Sequence, residues 1–500
     1  MENAVHKIHA KVSSSQPPAL YVLFFVELWE RFSYYGIRVL LILYMTSELK
    51  FSDCFSYGVY GMYFALVSAS TVLGGYLADH YLGNRKAIYL GTIIIIAGHI
   101  CLFFFAKESF YLGLGFIVTG TGFFKPNITS LLGQYYQPHD PRRDSGFTIF
   151  YMGINLGSFL APFICGYIGR KYGWHYGFGT AGLGMLMGLF IFYYSSKILG
   201  NAGHSPNNDK LHQPIFWRFT PYKGIIIGAI FSILIFSWCI QCHEIMGDFL
   251  QVSGIIMLLA LIGIALKCKG EEKKSMLTLI MMLPFFVAFW TSFEQAGASI
   301  NLFIDRHVNR GFMGYEIETT WFLSLNPFLI IVLAPVFSTL WIQLGKRNLE
   351  PTTPTKFSLA LFQVSLSFWF LKLGAQEGSD NGMTSMGWII LSYFFRTTGE
   401  LCLAPVALSM FTKLAPPRLT SFMIGNFFLS IAFAQFFAQQ IAKYFTAAHE
   451  IKAVAHVYDK TSSFLIFGQI FEFLIYLPLI AGIIMFFVSR YLKSIFRQYS

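Results

Sequence analysis

Glu27-Leu28-Trp29-Glu30-Arg31-Phe32-Ser33-Tyr34-Tyr35-Gly36-Ile37-Arg38 lies in the middle of an apolar run over residues 20–45. Such a run suffices to cross ~30 Å of hydrocarbon, which takes about 20 apolar residues in a helix. Wound at ~100° per residue, Glu27, Glu30, Arg31, Tyr34 and Arg38 fall within one arc of about 100°. One stripe of a membrane helix is therefore charged. An ionisable group at that depth costs several kcal/mol unless it is paired or faces a water-filled cavity. Five polar groups on one face exceed what tethering one helix to another requires, so the stripe is expected to face a polar interior.

The rest of the chain supports a membrane setting. Of 500 residues, 55% are hydrophobic and 12% charged, against roughly 25% charged in a soluble domain. There are too few charges to build soluble shells, and 55 Phe with 27 Tyr exclude disordered, collagen-like and coiled-coil chains. Further apolar runs fall near 55–78, 86–106, 109–134, 146–168, 174–197, 222–241, 245–266, 275–299, 318–343, 357–374, 384–412, 418–444 and 462–490. Backbone groups in lipid must be satisfied internally, so fourteen transmembrane helices are expected and the fold class is an all-α polytopic membrane protein. Lys and Arg cluster in alternate connections (Arg85, Lys86, Arg142, Arg143, Lys210, Arg218, Lys267, Lys269, Lys346, Arg347). Positive residues stay inside, which puts both termini in the cytoplasm. The same bias accounts for the +11 net charge and removes nucleic acid as a partner. Seven scattered cysteines form no disulfide framework. The polar start carries Lys7 and Lys11 and leads into a run without a small-residue cleavage site, so it is expected to remain on the mature protein.

Residues 200–221, rich in Asn, Pro, Gly and Ser, read as a linker. The expected plan is 6+2+6: a six-helix unit over 1–199, a linker with two additional helices over 200–270, and a second six-helix unit over 271–500. Three more spans carry ionisable groups at depth, in Lys125-Pro126-Asn127, Phe293-Glu294-Gln295 and Gly399-Glu400. Opposite charges on different helices can neutralise each other, either as fixed ties or as pairs whose exchange switches a transporter between states. Asn155 and Asn326 could bond an amide or amine, although helix packing is the usual role of such residues. Arg396, four residues before Glu400, is placed to pair with it within the helix. Glu472 has no evident partner and reads as structural, and His99 reads as a packing histidine. Cys239-x-x-Cys242-His243 fits a haem-attachment pattern but sits at an apolar helix end with no axial-ligand site. No cofactor or metal is expected. No nucleotide-binding loop occurs in a foldable soluble stretch, so an ion or substrate gradient must drive any transport.

Together, Glu27-x-x-Glu30-Arg31 before Phe-Ser-Tyr-Tyr-Gly, Gly120-x-Gly122-x-x-Lys125-Pro126-Asn127, Phe147 through Asn155-Leu-Gly, Phe293-Glu294-Gln295 and Gly399-Glu400-Leu resemble the proton-dependent oligopeptide transporter family. That family belongs to the major facilitator superfamily. Gly74-Gly75 to Asp79 with Gly83-Asn-Arg85-Lys86 resembles the superfamily's loop after the second helix, and the two extra central helices are similar to those of prokaryotic members. The resemblance runs from about residue 20 to 490.

It implies a major facilitator fold of two six-helix bundles plus the extra pair, in the cell inner membrane, with protons and di- and tripeptides as ligands and no obligate protein partner. Glu27, Glu30 and Arg31 would form a coupling motif, and Arg31 and Lys125 would receive the peptide carboxylate. Glu400 would take the ammonium, with Tyr34, Tyr35, Asn155 and Asn326 lining the cavity. Glu294 would pair with Arg31 in a proton-sensitive outer gate, Glu27 or Glu30 being the other candidate proton carriers. The chain departs from the family at Ala65-Leu66-Val67-Ser68 in place of a cavity tyrosine, at Asn426-Phe427-Phe428 in place of a tryptophan, and at Arg396 in place of a neutral residue or histidine. No histidine lies within 55–78, so carboxylates should carry the proton. The expected function is proton-coupled symport of di- and tripeptides by alternating access. A single amino acid or other small organic anion on the same fold is the nearest alternative, and a membrane-embedded haem protein or enzyme a distant one.

Overall fold

The computed structural model describes residues 15–104, 107–137, 140, 142–214, 220–347, 349–414, 416, 420–453 and 460–497. Among them run fourteen long helices. The first set is α1 (Pro18–Ser47), α2 (Asp53–Leu77), α3 (Asn84–Phe103), α4 (Lys107–Gly133), α5 (Arg143–Ala161) and α6 (Trp174–Tyr194). An additional pair follows, α7 (Pro221–Gln241) and α8 (His243–Lys267). The second set is α9 (Gly270–Phe293), α10 (Leu325–Lys346), α11 (Thr353–Asn381), α12 (Met386–Leu414), α13 (Thr420–Ala453) and α14 (Lys460–Arg497). All fourteen expected runs are helices.

Ten of these segments, with their short continuations, are long and apolar enough to span a bilayer among the described residues. α1 falls outside that set because every 18-residue window within it holds at least three of Glu27, Glu30, Arg31 and Arg38. At the other extreme, α8 has mean hydropathy 2.5 in a stretch only 11% buried. Phe249, Ile255, Ile256 and Leu259 face outward on it, which only lipid makes inexpensive.

Helix starts follow local chemistry. Ser52 caps α2 by accepting from the Phe55 amide at 3.2 Å. Thr220 does the same for Lys223 at 3.3 Å, with Pro221 in the first turn of α7. Within the first set α1 packs on α5 and α6, α2 on α4, and α3 on α4 and α6. Gly74 on α2 abuts the Gly122 carbonyl of α4 so closely that a side chain at Gly74 would overlap it. Small residues at such crossings let backbones approach where lipid gives helices no hydrophobic reason to associate. Within the second set α11 packs on α12 and α14, α9 on α13, and α10 on α12. The sets meet along two seams, α2 on α13 and α5 on α10. The additional pair lies beside the first seam, α7 on α4 and α8 on α9 and α2.

Three helices are interrupted or extended in ways hydropathy did not indicate. α2 runs on through a wider turn to Leu82, and α5 through Pro162–Gly166 to Tyr172. After Phe293, α9 tightens into a 3₁₀ turn, Glu294–Gly297, before Ser299–His307 resumes. Beyond it Gly311–Phe312 pairs antiparallel with Tyr315–Glu316, and Val308–Asn309 runs parallel to Thr384–Ser385. These strands mark the distal end of the bundle, opposite the end that carries the connection between α6 and α7.

Candidate functional site

The charged stripe of α1 faces the interior. The Arg31 guanidinium lies 3.2 Å from the Glu27 carboxylate and 2.5 Å from that of Glu30, all three nearly sealed from solvent. Its carbon also sits 4.8 Å above the Tyr34 ring. Arg38, two helical turns towards the distal end, donates from Nη2 to Glu294 Oε2 at 2.8 Å. Glu294 opens the 3₁₀ turn of α9. The turn fits there because Gly297 has no side chain to collide with the Tyr60 hydroxyl. Tyr60 Oη in turn donates to the Arg38 carbonyl at 3.4 Å.

Between these layers is a cavity of about 210 Å³ whose wall includes Arg31, Tyr34, Tyr35, Arg38 and Lys125 from the first set. Trp290, Glu294, Asn326, Tyr393, Arg396 and Glu400 contribute from the second. The volume is below the ~300–1,000 Å³ of drug-sized sites, which suits a small ligand. Lys125 has no ion-pair partner among the described residues, and its Nζ lies 6.0 Å from the Tyr34 centroid. α4 remains helical through the adjacent Pro126. Across the cavity Asn326 donates through Nδ2 to Glu400 Oε2 at 2.9 Å and to Thr397 Oγ1 at 3.1 Å. Cations of the first set thus oppose a carboxylate of the second, held by an amide whose orientation the threonine fixes.

Several expected contacts are different. Glu294 takes Arg38 and not Arg31, because Arg31 is already occupied by Glu27 and Glu30. Seven residues of α-helix separate the two arginines by about 10.5 Å, which places Glu294 nearer the distal end than a pairing with Arg31 would require. Arg396 does not pair with Glu400. It donates through Nη2 to the Phe293 carbonyl, at the point where α9 tightens into its 3₁₀ turn, and stacks 4.8 Å above the Phe293 ring. Asn155 is buried but donates to the Tyr151 carbonyl of its own helix at 3.0 Å and is not among the residues that line the cavity. Glu472 has a partner after all, Lys372 at 3.0 Å. His99 packs in the core with Nε2 2.6 Å from Ser33 Oγ. His243, in the haem-like motif, packs edge-on against Phe55 at 4.8 Å between centroids and covers Gly58.

At the departures from the family pattern, Ser68 donates to Gln435 at 2.6 Å across the α2–α13 seam. Phe427 packs on Phe286 and Phe411. The wall residues not singled out among the binding and coupling groups include Arg38, Trp290, Phe293, Tyr393, Arg396 and Gln435. Arg38 already lay on the charged arc of α1; the aromatic residues carried no signal that separated them from the rest of the aromatics, which make up 18% of the chain.

The distal end is sealed across the two sets. Arg306 grips Asp53 in a bidentate pair at 2.5 and 2.7 Å, and Arg170 lies 3.0 Å from Asp305 and 3.7 Å from Glu318. Asn301 donates to the Val39 carbonyl, Thr320 to that of Pro162 and Ser324 to that of Phe159. At the opposite end no ion pair joins the two sets among the described residues. The arrangement is closed on one side of the charged cavity.

Comparison with known proteins gives a consistent result. A family model described as the POT family matches residues 85–458. The transporter YclF of Bacillus subtilis (strain 168) is 37% identical over 454 residues, covering 89% of this chain and 91% of that protein. Dipeptide and tripeptide permease B of Xenorhabdus bovienii (strain SS-2004) is 31% identical over 97% of both chains. A crystal structure of the peptide transporter POT in complex with sulfate superposes with a TM-score of 0.80 at 34% identity, covering 95% of each chain.

Proposed function

The chain belongs to the POT family, and from that membership and the charges of the cavity we propose that it is a proton-coupled symporter of di- and tripeptides working by alternating access. The observation that carries this reading is the placement of Arg31 and Lys125 against Glu400 across one small cavity, on opposite helix sets. A dipeptide is a zwitterion, and fixed opposite charges would clamp its two ends through charge-assisted hydrogen bonds. Arg31 and Lys125 take the carboxylate, Glu400 oriented by Asn326 takes the ammonium, and Tyr34 and Tyr35 form the wall between. The moving units are residues 1–199 and 271–500, with 200–270 accompanying them.

Both termini lie in the cytoplasm of a cell whose inner membrane the chain spans, so the distal seal closes the outer side. A proton on Glu294 removes its attraction for Arg38 and weakens that seal. At the other layer, a peptide carboxylate arriving at Arg31 competes with Glu27 and Glu30, and a proton on either of them frees the guanidinium for the peptide. Peptide and proton thereby favour each other's binding, as linkage requires. The experiment is uptake of dialanine into proteoliposomes under an imposed proton gradient, with trialanine and free alanine as competitors. Accumulation of dialanine, blocked by trialanine and not by alanine, is expected. Competition by alanine alone would move the assignment to a single amino acid.

A further inference from the structure

The cavity holds a cation that clamping a zwitterion does not use. Arg396 is 1% exposed, lines the cavity, and leaves Nη1 without a hydrogen-bond partner. Its other terminal nitrogen is committed to the Phe293 carbonyl, and the rings of Phe293, Tyr393 and Phe368 surround it at 4.8, 5.8 and 5.9 Å. An arginine half-satisfied at this depth is costly. No ion pair joins it to Glu400, whose carboxylate accepts instead from Asn326. Aromatic walls and a backbone acceptor fix the guanidinium in one orientation and leave Nη1 without a hydrogen-bond partner, as in a preorganised anion subsite.

We propose that Arg396 is a specificity-determining residue that binds a side-chain carboxylate of the peptide, so that the preferred substrates are di- and tripeptides beginning with Asp or Glu. This rests on the transport reading above and deepens it. Arg396 and Glu400 are four residues apart on α12, neighbours at about 5–6 Å between Cβ atoms. That spacing suits the α-ammonium and side-chain carboxylate of a single residue: the ammonium meets Glu400 while the β- or γ-carboxylate meets Arg396. An acidic residue at the carboxyl end would instead lie by Arg31 and Lys125, on the other helix set. The site thus distinguishes sequence isomers of one dipeptide.

The test is competition against dialanine uptake by Glu-Ala, Gln-Ala and Ala-Glu in proteoliposomes. Gln-Ala has the shape of Glu-Ala without the charge, and a charge-assisted bond contributes roughly tenfold or more. Glu-Ala is expected to compete about tenfold better than Gln-Ala and better than Ala-Glu. Arg396→Gln should bring the Glu-Ala to Gln-Ala ratio close to one, while Arg396→Lys retains a preference. Because the ratio is read within each variant, a change in overall uptake does not obscure it. Should Arg396→Gln not transport, the same ratio is read from ligand-induced thermal stabilisation of the purified protein. Equal competition by Glu-Ala and Gln-Ala in the unaltered protein, or a preference that survives Arg396→Gln, would overturn the proposal. Absence of proton-driven dialanine uptake in the unaltered protein would instead overturn the transport reading.

Discussion

At the scale of the residue, the proposed roles of Lys125 and Glu400 are separable by experiment. Lys125 lacks an ion-pair partner among the described residues and lies beside the Arg31 cluster. Lys125→Ala removes a cation that no neighbour can replace, and proton-driven accumulation is expected to fall to the level of a vesicle without a gradient; uptake at the unaltered rate would dissociate Lys125 from substrate and coupling. Glu400→Gln keeps an oxygen for Asn326 and loses the charge. Half-saturating concentrations for free peptides should rise on the order of ten- to a hundredfold, from loss of about 1.5–3 kcal/mol. Peptides with a blocked amino terminus should hardly change, and equal weakening of both would mark Glu400 as structural. These residues were legible in the sequence because a charge inside an apolar run stands out whatever its partner. Their pairing was not. A helical wheel gives the angle at which Arg31 and Arg38 project, and both project the same way; which one meets Glu294 depends on the relative depth of α1 and α9, which neither helix encodes alone. Asn155 misled for a related reason, since its amide had an acceptor one turn back on its own helix.

At the scale of the element, the important departure from regularity is the break in α9. Hydropathy marks a span there but cannot show that four residues of 3₁₀ turn carry Glu294 to Arg38 while the Phe293 carbonyl, where the turn begins, accepts from Arg396. Gly297 allows this by giving room to Tyr60, and that close approach involves a helix far away in sequence. Because the break connects the Arg38 pair with Arg396, the end of α9 joins the seal to the binding cavity. Glu294→Gln mimics the protonated carboxyl permanently. It should exchange peptide across the bilayer in counterflow but fail to concentrate it when a pH gradient is imposed. Persisting accumulation would shift the proton to Glu27 or Glu30.

At the scale of the whole molecule, closure is asymmetric, with the ionic ties between the helix sets concentrated at the distal end. Arg306–Asp53 is partly exposed, its side chains 31% and 14% accessible, so about 1 kcal/mol is a fair measure of its contribution. Asp53→Asn should then shift the balance between closed and open distal states about fivefold. Spin labels placed at Lys50 and Met313, with the native cysteines replaced, would report a larger population at long distance; an unchanged distribution would show that the pair does not hold the seal. The four cations Arg31, Arg38, Lys125 and Arg396 and the four carboxylates Glu27, Glu30, Glu294 and Glu400 are formally balanced around the cavity. An empty carrier therefore reorients without moving net charge. A zwitterionic dipeptide adds none, and each accompanying proton adds one, so the proposed symport is expected to be electrogenic. About 2.3 kcal/mol per 100 mV then acts on the loaded step alone. Dialanine should evoke an inward current proportional to its flux, whereas Glu-Ala carried with a single proton should cross almost silently, the extra carboxylate cancelling the charge that the voltage would have pulled.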